Sequence, residues 1–209
     1  MSEIRVYVEG SGDGKDSKAT FRQGMNDFLR DLVHLARSQK IGWTLVACGS
    51  RDRAFRDFGN ALSSHPNALN VLLVDAEAPI TATSCLEHLH NCDGWEMAGI
   101  EESQCHLMVE VMENWLLADV DTLEKFYGKD FNRSAIPRTQ NVEEISKSTV
   151  ESALKNATRR TQKGEYHKIN HGPKLLGMIS VSLVKTRAPY CQTLFSTLQS
   201  FITPSSSVD

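Results

Sequence analysis

The sequence has little of what defines several protein classes. Its five cysteines form an odd set without a C-x-x-C pair, which argues against a disulfide framework. No apolar run approaches the roughly 20 residues of a membrane span, and the first residues lack the apolar core of a signal peptide. No internal repeat is present. We therefore expect a cytoplasmic protein without structural disulfides or a membrane partner.

One long stretch lacks basic residues, and another has almost no acidic residues. Segment 93–124 carries nine acidic residues and no Lys or Arg, whereas segment 155–191 carries eight basic residues against Glu165 alone. The whole chain has a net charge of −3, which taken alone argues against a generally basic nucleic-acid coat. The segregation indicates instead a site where carboxylates hold cations and basic side chains hold a polyanion.

What is present is an alternation of strand and helix patterns over 209 residues. Apolar runs predict strands over 4–8, 43–48, 70–74 and 106–111, and helical spacing of apolar residues runs over 21–35 between the first two. The pattern predicts an α/β fold with a Rossmann-like, mostly parallel sheet of about four strands flanked by helices. We expect an α/β domain over 1–128, a helical basic extension packed on it over 129–203, and a disordered tail over 204–209.

Acidic residues follow two of the predicted strands. Glu9 and Asp75 come directly after apolar runs, Glu77 lies in the loop beyond, and Asp13 follows Glu9 across a glycine loop. Because the carboxyl ends of parallel strands meet at one edge, these side chains are expected to converge. Such a set can hold Mg²⁺ or Mn²⁺. Alternatively, Glu9 and Asp75 cap helices or pair with Lys15 and Arg51.

Two further acids follow the fourth predicted strand. Glu113 and Asp119 lie on a predicted helix but do not share one of its faces, so only one is expected at the site. Glu113 is the better candidate because it follows the strand directly. Alternatively, Glu113 is an acid favoured by the helix macrodipole.

The basic segment supplies candidates for phosphate contact. Lys168, His171 and Lys174 are predicted to neutralise a scissile phosphate or a leaving oxygen. Arg159, Arg160 and Lys163 share their sign and, with Lys168 and Lys174, are predicted to grip a nucleic-acid backbone. Alternatively, the segment is a solvated surface loop.

Two other motifs are weaker. Cys85, His88, His90 and Cys92 lie close together, but their spacing matches no usual structural zinc site. The glycine loop over 10–15 lacks the spacing of a Walker motif, so it predicts no phosphate-binding loop of that kind.

Several motifs together resemble a known family. They are Tyr7-Val8-Glu9-Gly10, Asp75-Ala76-Glu77-Ala78-Pro79, the segment 108–119 with its Met112-Glu113-Asn114-Trp115-Leu116-Leu117-Ala118-Asp119 block, Phe126-Tyr127-Gly128 and the segment 166–176. The first two resemble the Toprim domain of topoisomerases, primases and overcoming-lysogenization-defect nucleases. The whole set is similar to a bacterial Toprim-like family, domain of unknown function 4276. One departure is Asp75-x-Glu77, where Toprim proteins usually have Asp-x-Asp.

The resemblance implies roles for these residues. Glu9 would be a metal ligand or general acid/base, Asp75 and Glu77 would be metal ligands, and Asp13 would join a second ion. It also implies an ATPase partner encoded nearby, in a phage-defence or restriction-like system.

Three functions follow from these observations. The first is a Mg²⁺- or Mn²⁺-dependent nuclease acting on DNA or RNA. The second is a non-catalytic docking or sensor subunit of an ATPase complex. The third is a phosphatase-like domain with Asp75 as nucleophile. The choice between DNA and RNA, and the formation of a homo-oligomer, stay open.

Overall fold

The computed structural model describes residues 2–10, 12 and 14–204, and the strand–helix alternation forms an α/β fold. The strands are β1 (Glu3–Glu9), β2 (Gly42–Gly49), β3 (Ala68–Asp75) and β4 (Cys105–Met108). The α-helices of the described residues are α1 (Lys15–Phe28), α2 (Arg30–Ser38), α3 (Arg51–Ser64), α4 (Cys85–Asp93), α5 (Glu113–Leu116), α6 (Val120–Tyr127), α7 (Lys147–Thr158), α8 (Gly172–Leu176), α9 (Val181–Arg187) and α10 (Pro189–Ile202). Short 3-10 turns cover Glu102–Gln104, Arg133–Ala135 and Val142–Glu144.

The four strands form one parallel sheet in the order β2-β1-β3-β4. Val6 of β1 lies between Leu45 of β2 and Val71 of β3, and Asp75 pairs with Met108 of β4. The last six residues of β3 are all buried because helices cover both faces of the sheet. The predicted fold class is confirmed.

Helices on the two faces enclose two apolar cores. On one face, Phe28 of α1 stacks on Trp115 at 5.2 Å between ring centroids and meets the edge of Phe195 in α10. On the other face, Phe58 of α3 and Leu89 of α4 are fully buried. The first core includes residues of the C-terminal helices, so the extension over 129–203 packs against the same apolar surface as α1. Residues 205–209 of the predicted tail lie outside the described residues.

Two element boundaries differ from the sequence prediction. The apolar spacing over 21–35 is divided between α1 and α2, because the chain leaves the helix at Leu29. The fourth strand ends at Met108 and not at Val111. The chain turns beyond Met108, which brings the Met112 amide to the side chain of Asp75.

Over the part of the chain that the structure describes, no helix has both the length and the apolar character needed to cross a membrane.

Candidate functional site

Three carboxylates converge at the C-terminal edge of the sheet. Glu9 ends β1, Asp75 ends β3 and Glu77 lies two residues beyond, and one oxygen of each lies within 4.8 Å of the others. β1 and β3 are parallel neighbours, so their ends deliver both acids to the same place. Glu77 adopts a positive φ of 63°, and its amide donates to the Glu110 carbonyl at 2.8 Å, which holds the turn. We call Glu9, Asp75 and Glu77 the carboxylate cluster.

Asp75 is the buried member of the carboxylate cluster. Its Oδ1 atom accepts a hydrogen bond from the Met112 amide at 2.8 Å, and its Oδ2 atom lies 3.4 Å from Lys168 Nζ. Burial raises the pKa of Asp75 to about 7; Lys168 opposes the rise, and Glu9 and Glu113 add to it. A cation beside Asp75 therefore favours its charged form.

Glu9 is anchored through one oxygen. Its Oε2 atom accepts from the Asp75 amide at 3.1 Å and from Arg51 Nη1 at 3.2 Å. Burial raises the pKa of Glu9, while the positive charge of Arg51 and the hydrogen bond from Asp75 oppose the rise. The alternative pairing of Glu9 with Arg51 is therefore present, and Glu9 belongs to the carboxylate cluster as well. Lys15 is exposed and forms no ion pair with a described residue.

Arg51 contacts both the carboxylate cluster and Asp93. Its Nε and Nη2 atoms donate to the two carboxylate oxygens of Asp93, each at 2.7 Å, and Nη1 also donates to the Asp75 carbonyl. Its guanidinium lies 5.2 Å from the centre of the Trp95 ring. Because four of its five N–H groups donate to Asp93, Glu9 and the Asp75 carbonyl, Arg51 positions Glu9 within the protein.

Glu113 joins the site through two partners. As the first residue of α5 it is 4% exposed, accepts from the Tyr166 hydroxyl at 3.0 Å and lies 3.5 Å from Lys168 Nζ. Burial lowers the pKa of Lys168, but the attraction of Asp75 and Glu113 outweighs it and raises the pKa above its ordinary value. Lys168 is therefore held in its protonated, positively charged form between two carboxylates.

Asp119 has a different role. Its side chain accepts from the Thr122 amide at 3.1 Å, at the start of α6, and from the Ser180 amide at 2.8 Å. It caps a helix and ties two segments together. Of the two acids on the predicted helix, Glu113 is the one that reaches the site.

Sequence reasoning missed two neighbours of the site. Lys147 Nζ pairs with Glu77 Oε2, and the Lys147 amide donates to buried Glu110 at 2.8 Å. Seventy positions separate Lys147 from Glu77, and no spacing pattern links them. Tyr166 is the second, and its only signal was its place at the start of the basic motif over 166–176.

The predicted basic residues are dispersed. Among them, only Lys168 contacts a described member of the carboxylate cluster. His171 packs among aromatic rings with its Nδ1 atom 3.0 Å from the Tyr127 hydroxyl, and burial lowers its pKa, with nearby positive charges adding to the effect. Lys174 lines a groove against α1. The remaining three are exposed, Lys163 lying over the Phe126 ring; they are Arg159, Arg160 and Lys163. Asp13 lies outside the described residues.

The Cys/His segment of α4 forms no metal group. His88 Nε2 lies 2.9 Å from the Ala76 carbonyl, and His90 Nδ1 lies 2.9 Å from the Trp95 carbonyl. These imidazoles fix loops that lead to and from the helix. Among the described residues, the carboxylate cluster is the one set of His, Cys, Asp and Glu that meets the geometry of a metal site.

Two cavities flank Lys168. One of about 410 Å³ is lined by Glu113, Tyr166 and Lys168, with Leu154 and Lys155 of α7 opposite. The other, of about 380 Å³, is more apolar and is lined by Phe21, Met112, Tyr166, Ile169 and Pro173 together with Lys168. Tyr166 and Lys168 therefore line both cavities, and the first cavity also adjoins Glu113.

Parallel strands with converging acids at their carboxyl edge define an α/β protein with a strand-end carboxylate site. The chain belongs to the family described as a domain of unknown function (DUF4276), whose family model matches residues 8–199. No curated protein and no solved structure matches the chain.

Proposed function

We propose that the chain is a nuclease that hydrolyses phosphodiester bonds of DNA or RNA and depends on Mg²⁺ or Mn²⁺. The observation that carries the proposal is the convergence of Glu9, Asp75 and Glu77, with one oxygen of each within 4.8 Å of the others. Carboxylate oxygens are the ligands that hard divalent cations prefer. The resemblance of the Glu9-Gly10 and Asp75-x-Glu77 motifs to Toprim nucleases supports the same chemistry.

The donor set fits a cation at this position. Glu9 and Glu77 each use only Oε2 in hydrogen bonds or ion pairs, and their Oε1 atoms have no such partner among the described residues. Asp75 Oδ2 is engaged only by Lys168 at 3.4 Å. Each carboxylate is therefore held by one oxygen while the other is free or weakly engaged. This pattern suits ligands that keep their orientation when a cation binds.

A bound divalent ion would polarise a phosphate oxygen and lower the pKa of a water molecule. Around it, Asp75 and Glu113 orient Lys168, whose side chain is 52% exposed and can reach a phosphate. The raised pKa of Lys168 makes it a stabiliser of negative charge and not a base. Glu9, fixed by Arg51 and the Asp75 amide, is the group proposed to act as ligand or general acid/base.

The proposal extends to partners. Exposed basic residues beyond α7 offer a sequence-independent contact to the phosphate backbone; they are Arg159, Arg160 and Lys163. Lys174 and His171 are weaker candidates for phosphate contact, since Lys174 lines a groove against α1 and His171 packs among aromatic rings. An ATPase subunit encoded nearby is proposed on the resemblance alone.

Cleavage assays test the proposal. Labelled single- and double-stranded DNA and RNA are incubated with the purified chain in Mg²⁺, Mn²⁺ or EDTA, with and without the neighbouring ATPase. We expect divalent-dependent cleavage that falls to the EDTA level in Glu9→Gln and Asp75→Asn. Glu96→Gln, an exposed carboxylate outside the cluster, is the matched control and is expected to cleave normally. A folded protein that binds Mn²⁺ but cuts none of these substrates under any condition would overturn the proposal.

A second candidate is a non-catalytic docking or sensor subunit. The observation in its favour is that Lys168 and Lys147 already supply positive charge to Asp75, Glu113 and Glu77. The acidic residues are thus neutralised in part by the chain itself. This function predicts no calorimetric signal on Mn²⁺ titration and unchanged biological activity in Glu9→Gln.

A phosphatase-like role for Asp75 is less favoured. The Asp75 side chain is 4% exposed, and the Met112 amide holds its Oδ1 atom while Oδ2 is engaged only by Lys168 at 3.4 Å. A buried carboxylate held in this way is poorly placed for attack on phosphorus. Detection of a covalent aspartyl phosphate at Asp75 by mass spectrometry would revive this function.

A further inference from the structure

We propose that a cleft between α1, α2 and the beginning of β2 is a second nucleic-acid contact surface, separate from the carboxylate cluster. We call it the arginine cleft. It has a volume of about 470 Å³, and its charged and aromatic lining is formed by Arg22, Asp27, Arg30, His34, Arg37 and Trp43. It deepens the proposed function and rests on it for the choice of nucleic acid as the polyanion.

The arginine cleft has an excess of positive charge. Arg22 and Arg37 are exposed and form no ion pair with any described residue, whereas Arg30 pairs with Asp27 at 2.8 Å. Segment 15–40 has six basic residues against three acidic ones, in a chain whose net charge is −3. An unpaired cationic patch on an acidic protein indicates a surface for a polyanion.

An aromatic ring lines the same cleft. Trp43 is partly buried, and its Nε1 atom donates to Asn26 Oδ1 at 3.3 Å, so the indole is held in place. Arginines beside a fixed aromatic ring are the combination that binds single-stranded nucleic acid, by backbone attraction and base stacking. Among the residues that the structure describes, the exposed large apolar ones are Ile169, Met178 and Leu183, and none lies in the cleft. That distribution favours nucleic acid over a lipid surface.

The position of the cleft fits a strand that also reaches the carboxylate cluster. Thr44 lines the cleft, and Gly49, five residues further along β2, ends the strand at the edge of the sheet that bears Glu9. At about 3.3 Å per residue, the cleft is roughly 16 Å from that edge. About five stacked nucleotides at ~3.4 Å each cover this distance.

Binding without metal tests the inference separately from cleavage. Fluorescence anisotropy of a fluorescein-labelled 12-nucleotide single strand, as DNA and as RNA, is measured in EDTA over a series of salt concentrations. We expect Arg22→Gln/Arg37→Gln to bind about tenfold more weakly, and the slope of log K against log salt to become shallower by about 1.4. The matched control is Arg56→Gln/Lys129→Gln, which removes two exposed positive charges elsewhere and is expected to bind as the unmodified chain does.

Tryptophan fluorescence supplies a second readout. Trp115 is 0% and Trp95 is 9% exposed, so quenching by a bound strand is expected to come from Trp43 and to be lost in Trp43→Phe. Equal affinities of the two double variants, or quenching that persists in Trp43→Phe, would overturn the inference. The inference would also be overturned if Arg22→Gln/Arg37→Gln lost binding to anionic lipid vesicles or to phosphopeptides and still bound the oligonucleotide normally. If the unmodified chain binds the strand through the arginine cleft in EDTA but cleaves nothing when Mg²⁺ or Mn²⁺ is added, only the nuclease proposal is refuted.

Discussion

Lys168 Nζ lies 3.4 Å from Asp75 Oδ2, although 93 positions separate the two residues in the chain. The same ammonium lies 3.5 Å from Glu113 Oε2. One cation from the segment between α7 and α8 thus connects the end of β3 to the start of α5. Its effect on stability and on the site can be measured by substitution.

Lys168→Met is expected to lower the free energy of unfolding by about 1 kcal/mol in EDTA, because Asp75 and Glu113 lose their shared cation. The half-exposed ammonium is screened by solvent, which keeps the effect modest. Urea denaturation at neutral pH measures it. Lys155→Met is the control, because Lys155 pairs with Glu165 at 3.3 Å in an exposed position and should change stability by less than about 0.5 kcal/mol. Equal losses in the two variants would contradict the prediction.

Arg51→Met is expected to destabilise the fold by about 3 kcal/mol, since it leaves Asp93 and Glu9 without their buried partner. The Arg51 side chain is 15% exposed, so solvent replaces little of what is lost. Arg51→Lys keeps the charge but not the paired donors to Asp93, and an intermediate loss is expected. Arg30→Met removes an exposed guanidinium with one acidic partner and serves as the control. A loss in Arg51→Met no larger than in Arg30→Met would refute the assignment.

Gly24→Ala is expected to destabilise the fold by about 2 kcal/mol, because an added Cβ atom would lie 2.1 Å from the Pro173 carbonyl oxygen. This close approach joins α1 to α8, the helix that follows the Lys168 segment. Gly59 in α3 has no atom within 4 Å of the same added group. Gly59→Ala is therefore expected to raise stability by about 0.5 to 1 kcal/mol, as alanine does within a helix. Thermal unfolding distinguishes the opposite signs, and destabilisation by both substitutions would contradict the argument.

Glu143→Gln is expected to change how stability depends on pH. Glu143 accepts from the Tyr190 and Cys191 amides at the start of α10. Burial raises its pKa to about 7 from an ordinary value of 4.5, against the effect of these hydrogen bonds. The carboxyl keeps its proton to a higher pH in the folded state than in the unfolded state. Its contribution to stability is therefore fully present below pH 4.5 and is lost as the pH rises towards 7.

The stability of Glu143→Gln relative to the unmodified chain should therefore increase between pH 5 and pH 8, by up to about 3 kcal/mol. Guanidinium denaturation at several pH values measures this difference. Glu144→Gln, at the exposed neighbouring position, is the matched control with which the pH profile of Glu143→Gln is compared. A flat profile for Glu143→Gln would show that the carboxyl is ionised throughout.

The order of strands and helices could be predicted from the sequence because it depends on local periodicity. β1 extends one residue beyond each end of the predicted run over 4–8, and β3 begins and ends within two residues of the predicted run over 70–74. The break at Leu29 could not be predicted, because the apolar spacing continues through it. The early end of β4 could not be predicted either, since it depends on a hydrogen bond from the Met112 amide to Asp75, which is distant in the sequence.

The convergence of Glu9, Asp75 and Glu77 could be anticipated because each lies at or just beyond the end of an apolar run and parallel strands end at one edge. The basic residues of the site were harder to predict from the sequence. Clustering in sequence indicated Lys168 but equally Lys174 and His171, which lie elsewhere. Lys147 and the Arg51–Asp93 pair depend on segments brought together by packing, and no local pattern encodes such pairs.

The segment that carries Tyr166 and Lys168 also has a consequence for modularity. The four strands and their acids are complete by residue 113, yet Lys147 and Lys168, the cations that contact Asp75, Glu77 and Glu113, come from beyond residue 128. A chimera that joined only the first 128 residues to the C-terminal part of another chain would keep Asp75, Glu77 and Glu113 but lose the two lysines that pair with them. The two halves of the chain are thus expected to exchange between relatives only as a matched set.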